Sequence, residues 1–111
     1  MAQRFDVYEV SLELVTAIRP VVEQLRLHDR DLATQLKRAT SSVPSNIAEG
    51  ARRVGRDRIH FWRIAAGSAG EVQSQLAIAV AWGDIDGASV NASLALVDRI
   101  LAMLWRLTHA S

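Results

Sequence analysis

No cysteine occurs among the 111 residues, so disulfide bridges and thiolate chemistry are excluded. A cysteine-free chain fits a reducing cytoplasm, and that is the expected location. Proline is scarce, with two residues, and glycine contributes six. Strand signals are weak: apolar–polar alternation is rare, β-branched clusters are short, and helical spacing dominates. Long hydrophobic runs are missing too. The longest uncharged window, Val72 to Gly83, has 12 residues, whereas a bilayer-spanning helix needs about 20. The opening MAQRFDVYEV has no basic start followed by an apolar run, so no signal peptide is expected. A soluble protein with no membrane partner is the expectation.

Neither sign of charge dominates, since the net charge is +1. The charge is unevenly placed, however. Residues 1–30 carry four Arg against five acids, residues 31–63 seven Lys/Arg against three acids, and residues 64–111 two Arg against four acids. The middle third is therefore basic. A local basic patch attracts phosphate even on a near-neutral protein, although a solvated helix face has the same composition.

What the sequence has in quantity is apolar residues at steps of three and four. Half of the chain is hydrophobic, ample for the core of a single domain spanning 1–111. A first helix is predicted from Phe5 to Leu27. It has one stripe at Phe5, Tyr8, Leu12 and Val15, and another at Val7, Val10, Leu14 and Val21. A helix apolar on two sides must be buried on two sides. Pro20 falls inside it, where a kink is expected. HDRD at 28–31 reads as a turn, with Asp29 or Asp31 capping the next helix.

The segment SVPSNIAEGARR (42–53) holds a proline and a glycine, yet Leu32, Leu36, Ala39, Val43, Ile47, Gly50 and Val54 keep one register through both. That predicts a continuous second helix, bent at Pro44. Thr40 and Ser41 hydroxyls are placed to help satisfy freed carbonyls. Gly50 costs about 1 kcal/mol of helix propensity, which close approach of another backbone would offset. Gly55 is the expected end of this helix.

The third helix is predicted from about Asp57 to Trp82. Trp62, Ala65, Ala66, Ala69, Val72, Leu76, Ala79 and Val80 form its apolar arc. Ile64, Ile78 and Trp82 fall outside, and Gly67, Gly70 and Ser74 form a strip of small residues. After a turn at GDIDG (83–87), with Ser89 as cap, a fourth helix from Ser89 to Thr108 shows Val90, Leu94, Val97, Leu101 and Leu104. Leu96, Ile100, Met103 and Leu107 widen that stripe. The fold class is all-α, an antiparallel up-down-up-down four-helix bundle. The apolar surface exceeds what one such core needs, which argues for a homo-oligomer.

Catalytic and metal chemistry find little support. His28, His60 and His109 are far apart, and Glu23 and Glu49 are followed by Arg26 and Arg52 instead of the Glu-x-x-His of di-iron bundles. No phosphate-binding glycine loop and no nucleophile–base set is present. No enzyme activity, metal or cofactor is expected. Asn46 borders the apolar stripe, where its amide must find a hydrogen bond. Glu49 has Arg52 and Arg53 at ion-pair spacing. Both fit a structural polar network, with a ligand contact as the alternative. Lys37, Arg38, Arg52, Arg53, Arg56 and Arg58, with Arg63 close by, form the basic cluster. It suits either nucleic-acid phosphates or solubility and intersubunit ion pairs. Trp62, Trp82 and Trp105 read as core or interface anchors in preference to base-stacking platforms.

QLKRATSSVPSNIAEGARR (35–53) followed by IAAGSAGEVQSQLAIA (64–79) resembles the four helix bundle protein family, also called the 23S rRNA intervening-sequence or S23 ribosomal protein family. Arg38, Ala39, Ser42, Pro44, Asn46, Ile47, Ala48, Glu49, Gly50, Ala65, Gly67, Ser68 and Glu71 carry the match. Gly70 and the bulky HFW at 60–62 depart from the pattern, which bears on helix packing or the subunit interface. The resemblance implies a small bacterial homopentamer, with Ser42, Pro44, Asn46, Glu49, Gly50, Gly67 and Ser68 as a structural motif. It also implies kinship to the accessory variability determinant of diversity-generating retroelements, a basic pentamer that binds nucleic acid and a reverse transcriptase. The functional expectation is a non-enzymatic oligomer that binds RNA or DNA through an Arg-rich surface. The alternative is a protein-interaction scaffold without nucleic-acid binding.

Overall fold

The computed structural model describes residues 2–109, with side chains from Asp6 onward. The place of Phe5 in its stripe therefore lies outside the described residues. Four helices form: α1 (Ala2–Arg26), α2 (Arg30–Ala51), α3 (Gly55–Ala81) and α4 (Asn91–His109). A short 3-10 turn, Gly87–Val90, leads into α4. No strand occurs among the described residues. Short turns return each helix alongside the one before it, and α4 closes back on α1. The result is the expected four-helix bundle, 43 × 22 × 19 Å.

One side of α1 enters the core through Val7, Val10, Leu14, Ile18, Val21, Val22 and Leu25. The other expected stripe does not: Tyr8 is half-buried, and Leu12 and Val15 are exposed. The helix runs through Pro20, which faces solvent.

Asp29 caps α2, its Oδ1 accepting from the Leu32 N–H at 2.9 Å. The predicted register passes unbroken through Pro44 and buries Leu32, Leu36, Ala39, Val43, Ile47 and Gly50. It stops earlier than expected, however. The N–H groups of Arg52 and Arg53 bond back to the carbonyls of Glu49 and Gly50 at 3.2 and 3.0 Å. These three-residue bonds tighten the last turn and end the helix at Ala51. Val54 is consequently 78% exposed. Gly55 opens α3 instead of closing α2, with a φ of +58° that reverses the chain. The Thr40 hydroxyl also departs from expectation: it donates to the Leu36 carbonyl at 2.7 Å, one turn before the carbonyl that Pro44 frees.

Trp62, Ala65, Ala69, Val72, Leu76 and Ala79 carry α3 into the core. Gly83, at φ +78°, ends it. The Gly83 and Asp84 N–H groups bond to the carbonyls of Val80 and Ala79 at 2.9 and 3.0 Å, the paired closure that needs a left-handed residue. Ser89 is no side-chain cap; it lies in the 3-10 turn, where its N–H meets the Asp86 carbonyl. The Gly67–Gly70–Ser74 strip faces away from any close intrachain partner, since a Cβ at Gly67 or Gly70 would meet nothing within 4 Å.

Ser93, Val97, Ile100 and Leu104 point α4 inward, with Val90 buried in the 3-10 turn before it, while Leu94 and Leu101 are half-buried. The segment Gly87–His109 is, by length and composition, apolar enough to cross a membrane. In this fold it is the fourth wall of the bundle. Leu12, Val15, Ile64, Ile78, Trp82 and Trp105 remain exposed around the barrel of helices.

Candidate nucleic-acid interface

The turn between α2 and α3 gathers the basic residues at one end of the bundle. Glu49 sits on the last turn of α2, where i+3 and i+4 neighbours share a face. Arg52 and Arg53 both close on its carboxylate, Arg53 Nε and Nη2 each at 3.0 Å from Oε2. These hydrogen bonds, Arg53's first and then Arg52's, hold the Glu49 carboxyl below its ordinary range. Arg53 also lies 4.9 Å above the Phe61 ring and 3.8 Å from Asp57. Both guanidinium groups stay open to solvent, the Arg52 side chain at 68% exposure and that of Arg53 at 44%.

Arg58 is held differently. Its Nε donates to the Gly50 carbonyl and its Nη2 to the Ala51 carbonyl, both at 3.2 Å. Both carbonyls belong to the last turn of α2; that of Gly50 also accepts from the Arg53 N–H. The guanidinium also covers the Trp62 ring at 5.5 Å. The Gly55 turn makes this possible by laying the first turn of α3 over the end of α2. Arg56 is exposed, with no ion pair among the described residues.

Lys37 and Arg38 do not join this end. They lie about four turns back along α2, about 21 Å or more from Arg52 at 1.5 Å per residue. Lys37 lines a groove of about 580 Å³ between α1 and α2, together with Arg19, Arg26, Thr40 and Ser41. Sequence reasoning missed Arg19 and Arg26, which belong to the acid-leaning first third. The signal was the short turn at 27–29, which folds Arg19 back opposite Lys37.

Beneath the basic end, the other motif residues form a polar bridge between α2 and α3. Asn46 Nδ2 donates to the Ser42 carbonyl and to Ser42 Oγ, both at 2.9 Å. Ser68 Oγ lies 2.8 Å from Ser42 Oγ across the helix pair. Gly50 gives room to Trp62, whose Nε1 donates to the Ile47 carbonyl at 3.1 Å. Pro44 is buried in the same stripe. Among the described residues no group of three or more His, Asp or Glu could hold a metal ion.

Among curated proteins none matches the chain. Among solved structures, a crystal structure from Bacteroides thetaiotaomicron VPI-5482 superimposes with a TM-score of 0.86. It is described as a protein of unknown function from the S23 ribosomal protein family. The two share 21% identity over 94% of this chain and 99% of the other, which establishes a common fold. The model of the 23S rRNA-intervening sequence protein family matches residues 3–106, a span that holds all four helices' cores, the Ser42–Asn46–Ser68 bridge and the Arg-rich turn. On that match, the chain belongs to the 23S rRNA-intervening sequence protein family.

Proposed function

We propose that this chain is a non-catalytic homo-oligomeric protein that binds RNA or DNA through phosphate contacts at the α2–α3 end. The observation that carries the reading is the convergence of Arg52, Arg53 and Arg56 on one exposed turn. Guanidinium forks suit phosphate oxygens. Such contacts are independent of base sequence and weaken as salt rises, because counterions released into more concentrated salt gain less entropy. Arg58, pinned by helix carbonyls, acts mainly by shaping that turn. Lys37 and Arg38 lie farther along α2 and form no part of this contact.

Oligomer formation is supported by the exposed apolar side chains on α1, α3 and α4. Trp82 at 76% exposure and Trp105 at 61% are costly to leave in water. Repetition of a weak phosphate site around an assembly raises apparent affinity by avidity. The polar groups near Asn46 are spent on one another, which leaves no evident nucleophile or base, so catalysis forms no part of the reading.

Filter binding with single-stranded RNA and duplex DNA, at low and moderate salt, tests the reading. Retention at low salt that falls with added salt, and drops again in an Arg52→Ala/Arg56→Ala variant, is expected. Failure to retain any nucleic acid at low salt would leave the alternative, a scaffold whose basic end meets an acidic protein.

A further inference from the structure

Two surface depressions flank α1, and they are opposite in charge. Between α1 and α2 lies the groove that holds Arg19, Arg26 and Lys37 against a single carboxylate, Glu23. Val15, Ile18 and Val22 line it as well. Between α1 and α4 lies a shallower depression with Glu9 and Glu13 beside Leu12 and Leu96. The first has three cations and one acid, net +2; the second has two acids and no cation, net −2. None of these charged groups has an ion-pair partner among the described residues. Leu12 and Val15, 39% and 37% exposed, give each depression an apolar element.

We propose that α1 is the assembly seam: the carboxylate-bearing α1–α4 side of one copy seats against the cationic α1–α2 groove of the next. The inference rests on the homo-oligomer reading above and specifies its interface. The two surfaces adjoin at Thr16 and carry opposite charge, and the contact proposed is head-to-tail, a type that closes into a ring when the rotation allows. Both patches border the same helix, so successive α1 helices come side by side. Opposite potentials fix partner and orientation, while Leu12, Leu96, Val15 and Val22 supply apolar burial. The second copy is favoured over a small anion because the chain itself carries the matching counter-surface.

Charge reversal tests this. Glu9, Glu13, Arg19 and Lys37 are all exposed, so the variants keep the fold, which circular dichroism verifies. Light scattering is expected to show the wild-type oligomer reduced to monomer in Arg19→Glu/Lys37→Glu and again in Glu9→Arg/Glu13→Arg. Combining all four changes in one chain restores assembly, since each patch again meets its opposite. In the cysteine-free background, Glu13→Cys and Lys37→Cys together give a bismaleimide ladder beyond the dimer, whereas either cysteine alone does not. Reversal variants that fold and keep the wild-type mass place the interface elsewhere and overturn the proposal, while the oligomer reading stands. If they keep that mass but Arg19→Glu/Lys37→Glu loses nucleic-acid retention, a polyanion occupies the groove, and the proposal is overturned. A monomeric wild type removes the oligomer reading together with this one.

Discussion

The indole of Trp62 fills the space that a side chain on Gly50 would need: a Cβ there would sit 2.5 Å from both Cδ1 and Nε1 of the ring. The Arg58 carbonyl, at 3.1 Å, closes the same gap. The buried Trp62 then spans to α2 through its bond to the Ile47 carbonyl. A glycine in the last turn of α2 is thus the condition for this close contact between α2 and α3.

Gly50→Ala should therefore destabilise the protein, although alanine is the better helix former. The propensity gain is about 1 kcal/mol. Against it stand about 1–3 kcal/mol for overpacking and about 1–3 kcal/mol for a buried indole N–H pushed off its acceptor. The net expectation is a loss of roughly 1–5 kcal/mol, from those same terms. Urea denaturation measures it, and an unchanged midpoint would show that the ring shifts freely. Pairing Gly50→Ala with Trp62→Leu should cost less than the sum of the two single changes.

Arg58→Lys is expected to lower stability despite keeping the charge. The guanidinium fork reaches two carbonyls at once and lies over the Trp62 ring. An ammonium cannot reproduce that geometry. A loss of about 1 kcal/mol matches one or two partly exposed hydrogen bonds. Thermal unfolding of Arg58→Lys and Arg58→Ala, read beside nucleic-acid retention, separates shaping of the turn from direct phosphate contact. A stable Arg58→Lys protein would remove the capping role.

The bridge from Ser42 to Ser68 should act as a unit with Asn46. Removing the Ser42 hydroxyl leaves the other two groups short of one partner each. A double-mutant cycle of Ser42→Ala and Ser68→Ala should give a coupling of about 0.5–1.5 kcal/mol. Strict additivity would mean that solvent already satisfies both hydroxyls.

How far these relations could be read from the sequence depends on whether they run along one helix or across a turn. The register from Leu32 to Gly50 is a property of one helix, so it was legible through Pro44. The ion pairs of Glu49 with Arg52 and Arg53 are equally local. Gly50 is legible as a close approach to a backbone; in the structure an indole does most of the filling. The capping by Arg58 depends on the left-handed Gly55, which sequence pattern alone places at the end of α2. Placing Gly55 at the start of α3 is what brings Arg58 back over Gly50 and Ala51. The grouping of Arg19 and Arg26 with Lys37 crosses the α1–α2 turn, where charge counting along the chain has no access.

Glu49→Gln connects the stability of the basic end to its availability. The carboxyl is held below its ordinary range by Arg53 first and Arg52 second. A depressed folded value means that the pairing contributes above the unfolded glutamate pKa, about 4.3, and is lost as pH falls through the folded value. Wild type should therefore lose a small increment of stability in acid that Glu49→Gln lacks, with added salt shrinking the difference because the groups face solvent. At neutral pH the same substitution releases Arg52 and Arg53 from a competing anion. Low-salt retention of RNA or DNA should then rise, with a steeper fall as salt is added, since more guanidinium charge meets phosphate. Equal retention by Glu49→Gln and wild type across the salt series would exclude these two arginines from the contact.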